Sequence, residues 1–288
     1  MTLRSTPVQI GVACGSGVLM FLACATFDLW PLAWVALVPL LLVVRLVSPR
    51  RAFFLGWATG FVANAGGFYW IGGLLQRFGH MPLAGVIPLF VLLVGYQGLM
   101  HGIWAYVVRR LSPSVPMTLA APVTMVAIEF LYWMMFPWYY AITQAWVVPI
   151  IQVAELGGPT TVSFLLLLVN GAVYEVMAER PRPWRRLVFA GAVVVAALLF
   201  GLVRMHQVQA ARQAAPKLKV GLVQANFGIL EGARRVLSPT ELRVEREMSA
   251  QLERSGAQLI VWPESAYPYV YRRDQTRDYA DERTVTEG

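Results

Sequence analysis

The chain has 288 residues, of which 57% are hydrophobic and 14% charged, and its mean hydropathy is +0.56. A soluble domain carries roughly 25% charged residues, so the composition excludes an ordinary soluble protein and indicates an integral membrane one. The formal net charge of +8 comes mostly from arginines set between apolar runs, which reads as membrane topology and not as nucleic-acid binding.

A spanning helix needs roughly 20 mostly apolar residues. Seven stretches qualify: 8–25, 30–47, 52–74, 83–108, 117–136, 150–178 and 187–205. The expected fold over 1–205 is therefore a multi-pass α-helical membrane domain. The first run shows no small-residue cleavage site ahead of a polar segment, so it reads as a retained helix. Gly157-Gly158-Pro159 marks a break inside the long sixth run. Cys14 and Cys24 both lie in the first run, and His80, His101 and His206 are scattered. Neither a disulfide framework nor a metal site is expected, and no cofactor.

The arginines set an orientation. With the N-terminus in the cytoplasm, ten arginines fall on the inside: Arg4, Arg45, Arg50, Arg51, Arg109, Arg110, Arg180, Arg182, Arg185 and Arg186. The short outside loops hold only Arg77. That bias is a positive-inside signal, and seven spans then put everything after residue 205 outside the cytoplasm.

The outer loops are aromatic and uncharged at Phe68-Tyr69-Trp70 and Phe136-Pro137-Trp138-Tyr139-Tyr140. These residues either anchor helices at the interface or wall in lipid acyl chains; Trp138 and Tyr139 are the candidates for the second role. Glu129, Glu155 and Glu175 lie inside apolar runs, where a charge costs about 2.5–3.5 kcal/mol on insertion scales. Glu175 is expected to snorkel or pair with an arginine. Glu129 and Glu155 read as structural polar contacts or as groups near a substrate.

Residues 206–216 are polar and alanine-rich and read as a linker. Lys219 to Asn226 follows as a short strand with Gln224 and Asn226 at its C-terminal end. Ser238-Pro239-Thr240-Glu241 is a helix start, with serine as cap, proline at the first helical position and glutamate closing the box. Val244, Met248 and Leu252 recur on one face, and Gly256 ends the helix. Leu259-Ile260-Val261-Trp262 is a second strand, ended by Pro263. This is a βαβ unit with parallel strands, and sites in such sheets form beyond the carboxyl ends of the strands. Gln224, Asn226 and Glu264 all lie there.

Val-Gln-Ala-Asn followed by Leu-Ile-Val-Trp-Pro-Glu-Ser-Ala resembles the opening of a nitrilase-type (carbon–nitrogen hydrolase) domain. Placed after the spans, it resembles the apolipoprotein N-acyltransferase family. Phe27-Asp28-Leu29-Trp30-Pro31-Leu32-Ala33-Trp34, Phe136-Pro137-Trp138, Ile151 to Gly157 and Asn170 are similar to that family's membrane half. The resemblance implies a transmembrane domain over 1–205 and a partial nitrilase-like domain over 217–288 on the periplasmic face of a bacterial inner membrane. It implies transfer of an acyl chain from a phospholipid donor, through a cysteine thioester, to the N-terminal cysteine amine of a diacylated apolipoprotein. In that scheme a glutamate is general base, and Glu264 matches its position. Trp138, Tyr139, Glu129, Gln224 and Asn226 become candidate substrate contacts.

The chain departs from the family after Gln224, where Ile229-Leu230-Glu231-Gly232 stands in place of an expected aromatic, and in its catalytic residues. Lys217 and Lys219 are its only lysines and precede Glu264, and no cysteine follows Cys24. The family's lysine and cysteine are expected beyond residue 288, so the chain reads as truncated within the nitrilase-like domain. The alternative reading is a non-catalytic membrane module that anchors or activates a partner such as a polyprenol-phosphate glycosyltransferase.

Overall fold

The computed structural model describes residues 5–25, 27–226 and 239–263. The chain divides into two compact units, Met1–Gln213 and Ala214–Gly288.

The first unit is helical. It runs α1 (Thr6–Leu22), a 3-10 segment (Trp30–Trp34), α2 (Val38–Val44), α3 (Pro49–Gly67), α4 (Trp70–Arg77), α5 (Leu83–Leu111) and α6 (Met117–Leu131). A second 3-10 segment (Tyr140–Gln144) precedes α7 (Val148–Ile151), α8 (Ala154–Gly157), α9 (Pro159–Ala178) and α10 (Trp184–Ala214). Among the described residues, three helices are long and apolar enough to cross a membrane: α5, α9 and α10. Shorter apolar helical stretches cover 6–22, 30–44, 117–131 and 148–157.

Several expected spans are interrupted. The run 30–47 is a 3-10 segment and then α2, and 52–74 is divided between α3 and α4. The run 117–136 ceases to be helical after Leu131. The run 150–178 breaks at Gly158, whose φ of 75° glycine adopts without the steric cost of a Cβ. The stretch 206–216, expected as a linker, is instead helical as far as Ala214. Its Ala, Gln and Arg residues are strong helix formers. Their polarity marks a change of surroundings along α10, not its end, and Pro216 cannot continue the helix.

Small residues bring helices together. Gly56 and Gly60 on α3 face Gly98 and Gly102 on α5, each pair four residues apart. A Cβ on Gly60 would lie 2.6 Å from the Gly98 carbonyl oxygen, and one on Gly98 would lie 2.8 Å from the Phe61 nitrogen. In lipid, where apolar side chains gain little by leaving the solvent, close backbone contact of this kind supplies the attraction. Helix α10 uses the same device more sparingly. Its buried residues are Ala190, Ala197 and Gly201, and Val188, Phe189, Leu199 and Leu202 stay exposed, as on a helix that faces hydrocarbon.

The non-helical backbone between these pieces is tied by buried side chains. Asn170 of α9 accepts the Leu37 N–H at 2.9 Å and donates to the carbonyls of Ala33 at 2.9 Å and Leu166 at 2.8 Å. Ser16 of α1 accepts the Leu40 N–H at 2.9 Å. These bonds satisfy the N–H groups that α2 leaves open where it starts.

The second unit contains β1 (Val220–Leu222), α11 (Pro239–Arg254) and β2 (Leu259–Val261). The strands are parallel, with Val220 opposite Leu259 and Leu222 opposite Val261. Leu252 packs against Gly221, as the one-face pattern requires. Gly256, with φ 81°, closes α11: its N–H reaches the Glu253 carbonyl, and the Ala257 N–H reaches that of Leu252. This is a Schellman ending. Ser238 and the side chains of 239–241, expected to form the capping box, lie outside the described residues. Val220, Leu222, Leu259 and Val261 are exposed, and among the described residues nothing covers them.

Asn170→Ala is expected to lower the thermal midpoint in detergent more than Ser16→Ala does. Asn170 makes two bonds with the 33–37 stretch and Ser16 one with α2, and an orphaned buried N–H costs about 1–3 kcal/mol. Equal midpoints for the two variants would show that the Asn170 bonds add nothing beyond one satisfied N–H.

Candidate functional site

The first 3-10 segment and the second are zipped together by side chains. The Tyr140 hydroxyl donates to the Ala33 carbonyl at 2.8 Å. Trp34 Nε1 donates to Gln144 Oε1 at 3.2 Å, and Gln144 Nε2 donates to the Trp30 carbonyl at 3.1 Å. Trp146 Nε1 reaches Asp28 at 2.8 Å.

Glu129 sits beneath this junction. It is buried at the end of α6, where Oε1 accepts the Tyr140 N–H at 2.8 Å and the Ser163 hydroxyl at 2.9 Å. Ser163 Oγ in turn accepts the Ala141 N–H at 3.0 Å. Glu129 Oε2 is buried with no hydrogen-bond partner. The carboxylate therefore holds the start of the second 3-10 segment on α9, and one of its oxygens remains unused.

The loop ahead of that segment is held by α5. Gln97 donates to the Phe136 carbonyl at 3.0 Å and accepts the Met135 N–H at 3.1 Å. The half-buried Trp138 lies with its ring 6.4 Å from that of His101. His101 is fully buried, and neither of its nitrogens is hydrogen-bonded. Tyr139 lines an apolar groove of about 210 Å³ with Pro137, Ile142, Ile151, Pro159 and Val162. Trp138 and Tyr139 thus serve different surroundings.

The other two glutamates are paired. Glu175 is buried, accepts the Thr118 N–H at 3.1 Å and the Thr118 hydroxyl at 2.6 Å, and pairs with Arg186 at 3.0 Å. It caps the start of α6 while meeting the arginine expected of it. Glu155 takes Arg204 in a bidentate contact at 2.5 and 2.6 Å.

In the second unit the parallel pairing continues one step past the strands, with the Val223 N–H on the Val261 carbonyl. Gln224 and Asn226 follow β1, and Trp262-Pro263 follows β2, at the same carboxyl edge. Asn226 has φ 52°, the left-handed region. Trp262 is fixed by its Nε1–H on Ser249 Oγ at 2.8 Å. Glu264 lies outside the described residues. Among the described residues, no three His, Cys, Asp or Glu side chains converge on a metal position.

The stretches similar to the family's membrane half, 27–34, 136–138, 151–157 and Asn170, all lie in the first unit, where Asn170 donates to Ala33 of the first of them. The family described as apolipoprotein N-acyltransferase N-terminal domain matches residues 16–172. The chain belongs to that family. It is 31% identical to an apolipoprotein N-acyltransferase of Geobacter metallireducens, over 91% of this chain and 52% of the relative. It is 34% identical to one from Azotobacter vinelandii, over 89% and 51%, and 30% identical to one from Pseudomonas putida, over 94% and 54%. The chain spans about half the length of these curated relatives.

Sequence reasoning missed Gln97, Gln144 and Ser163. Each is a polar residue within or beside an apolar run, which was the available signal, and each bonds at least one backbone group more than 20 residues away.

Glu129→Ala is expected to destabilise the first unit by about 1–3 kcal/mol for each donor left unmet, and to expose 132–147 to protease. Glu129→Gln keeps an oxygen for both donors and is expected to melt near the parent. Thermal unfolding and limited proteolysis read both. If Gln and Ala lose the same stability, the carboxylate holds the segment by charge and not as an acceptor.

Proposed function

We propose that the protein is an apolipoprotein N-acyltransferase, and that this chain contributes its seven-span membrane domain and the first part of its nitrilase-like arm. The observation that carries the reading is the parallel register of β1 and β2. It brings the Gln224-Ala225-Asn226 and Trp262-Pro263 turns to one sheet edge, beyond which catalytic groups of such sheets sit. The family match over the membrane half supports the same reading, as do the relatives' names.

The chemistry follows from two lipid substrates. A cysteine thiolate attacks the acyl ester carbon of a phospholipid; a carbon–sulfur bond forms, the ester C–O bond breaks, and lysophospholipid leaves with a proton. The amine of the diacylated apolipoprotein then attacks the thioester; a C–N bond forms, the C–S bond breaks, and the thiolate returns. Glu264 takes the proton from the thiol and then from the amine, the work of a general base beside a nucleophile. A lysine steadies the tetrahedral oxyanion. In this reading that lysine and the cysteine belong to a further part of the nitrilase-like domain. Trp138 and Tyr139, with its apolar groove, are substrate contacts of the first unit, carried on the loop that Glu129 holds, and Gln224 and Asn226 are substrate contacts of the second unit.

The orientation belongs to the same proposal: N-terminus in the cytoplasm of a bacterial inner membrane, arm in the periplasm. The ten-to-one arginine bias supports it.

Protein purified from its native membranes is expected to transfer an acyl chain from phospholipid to a synthetic diacylated lipopeptide. Glu264→Gln is expected to slow that transfer roughly 10²–10⁴-fold. An unchanged rate would remove Glu264 from the mechanism, and a parent protein inert toward the lipopeptide would remove the activity. In a background with Cys14 and Cys24 replaced by alanine, Gln76→Cys is expected to react with a membrane-impermeant maleimide in intact cells, and Ser114→Cys only after permeabilisation. The opposite pattern would invert the topology.

A further inference from the structure

Between Asp28 and Glu129 the sequence has no Asp or Glu, yet it contains Arg45, Arg50, Arg51, Arg77, Arg109 and Arg110. The start of α3 and the end of α5 meet at one end of the bundle, since Arg109 Nε of α5 donates to the Val47 carbonyl at 2.8 Å. Several guanidinium groups here are satisfied from within. Arg45 donates to the Ala178 carbonyl at 2.6 Å, Arg109 also reaches Ser112 Oγ at 3.3 Å, and Arg51 reaches Thr6 Oγ1. Arg50 is exposed, and among the described residues it forms none of the ion pairs.

Arg50 instead forms one end of a groove with Phe53, Phe54, Ile103 and Tyr106. Its volume is about 490 Å³, within the range of about 300–1,000 Å³ typical of ligand sites. The packing explains why it exists. Gly102 has no Cβ, which would lie 3.0 Å from the Phe53 carbonyl oxygen and 3.1 Å from its ring, so Phe53 can lie against α5. Phe54 then stands edge-on to Phe53, with ring centroids 5.4 Å apart at 89°, and remains 63% exposed. The result is an apolar trough bordered by the aliphatic stem of Arg50.

We propose that this groove binds one anionic glycerophospholipid, with its phosphate on Arg50 and an acyl chain along Phe53, Phe54, Ile103 and Tyr106. The charge decides the occupant. Among the described residues Arg50 is in none of the ion pairs, and an arginine fork matches phosphate. A second copy of the chain would bring a like charge to the same end. The apolar walls call for a hydrocarbon tail, which a free phosphate lacks. The site is independent of the acyl-transfer chemistry proposed above.

The test is native mass spectrometry of the purified 288-residue chain in neutral detergent, with added phosphatidylglycerol or phosphatidylcholine of identical acyl chains. One bound phosphatidylglycerol is expected to survive in preference to phosphatidylcholine. Arg50→Ala is expected to cut that binding at least about fivefold, in line with the roughly 1 kcal/mol per basic residue near an anionic lipid surface. Ile103→Trp, which fills the exposed groove and leaves every charge in place, is expected to do the same. Arg110→Ala removes the same charge from the same end without lining the groove and is expected to leave binding within about twofold. Three results would each overturn the proposal: equal loss in Arg50→Ala and Arg110→Ala, which means general attraction to anionic lipid; retention in Ile103→Trp, which means an anion contact without a chain groove; or equal retention of the two lipids.

Discussion

The first unit depends on keeping every backbone polar group bonded where water is absent. A continuous helix meets that demand by itself, and interrupted backbone does not. Here the interrupted stretches, 29–37 and 132–147, are threaded between α1, α5, α6 and α9. Their carbonyls and N–H groups are met by Ser16, Gln97, Glu129, Tyr140, Ser163 and Asn170. All of these come from regular helices except Tyr140, which belongs to the second 3-10 segment itself. The helices are the frame, and the short pieces carrying the aromatic loops are hung on it by named side chains. This is why Glu129 can be a buried carboxylate without a cationic partner: two of its hydrogen bonds are the attachment of a segment, and their strength comes from the absence of competing water.

Two kinds of contact organise the frame itself. Where α3 meets α5, glycines let the backbones touch, and the gain is dispersion between closely packed atoms. Where α6 meets α9, Glu175 joins Thr118 and Arg186 in one charged knot. The first contact is shape and the second is charge. The two explain why a bundle rich in leucine and valine has a single arrangement: aliphatic side chains alone discriminate poorly among helix faces in lipid.

Much of this was legible in the sequence. The apolar runs gave the helices, and the α11 periodicity with Gly256 and the two flanking strands gave the parallel βαβ unit. Glu175 found the arginine expected of it. The interruptions were not legible, because hydropathy averages over a window and cannot see that Leu37 and Leu40 donate to side chains on other helices. The facing Gly-x-x-x-Gly pairs at 56–60 and 98–102 were in plain view, but a glycine spacing becomes a contact only when a second one faces it. The linker reading failed because polarity was taken for a helix end. The candidate site divides in the same way: the motif stretches converge in the first unit, while Glu264 falls outside the described residues.

The sparse packing of α10 bears on how such a protein comes to be assembled. With most of its surface turned outward and only Ala190, Ala197 and Gly201 buried, α10 is content as a lone segment in a bilayer from the moment it leaves the insertion machinery. The pieces at 30–44 and 140–157 are not, since alone in hydrocarbon they would present bare amides. The chain therefore contains passengers that insert on their own account and others that must wait at the interface until Asn170 and Glu129 are in place to receive them. Biogenesis then has an order that synthesis does not dictate: the α2 segment, made early, cannot settle until α9, made more than a hundred residues later, has arrived.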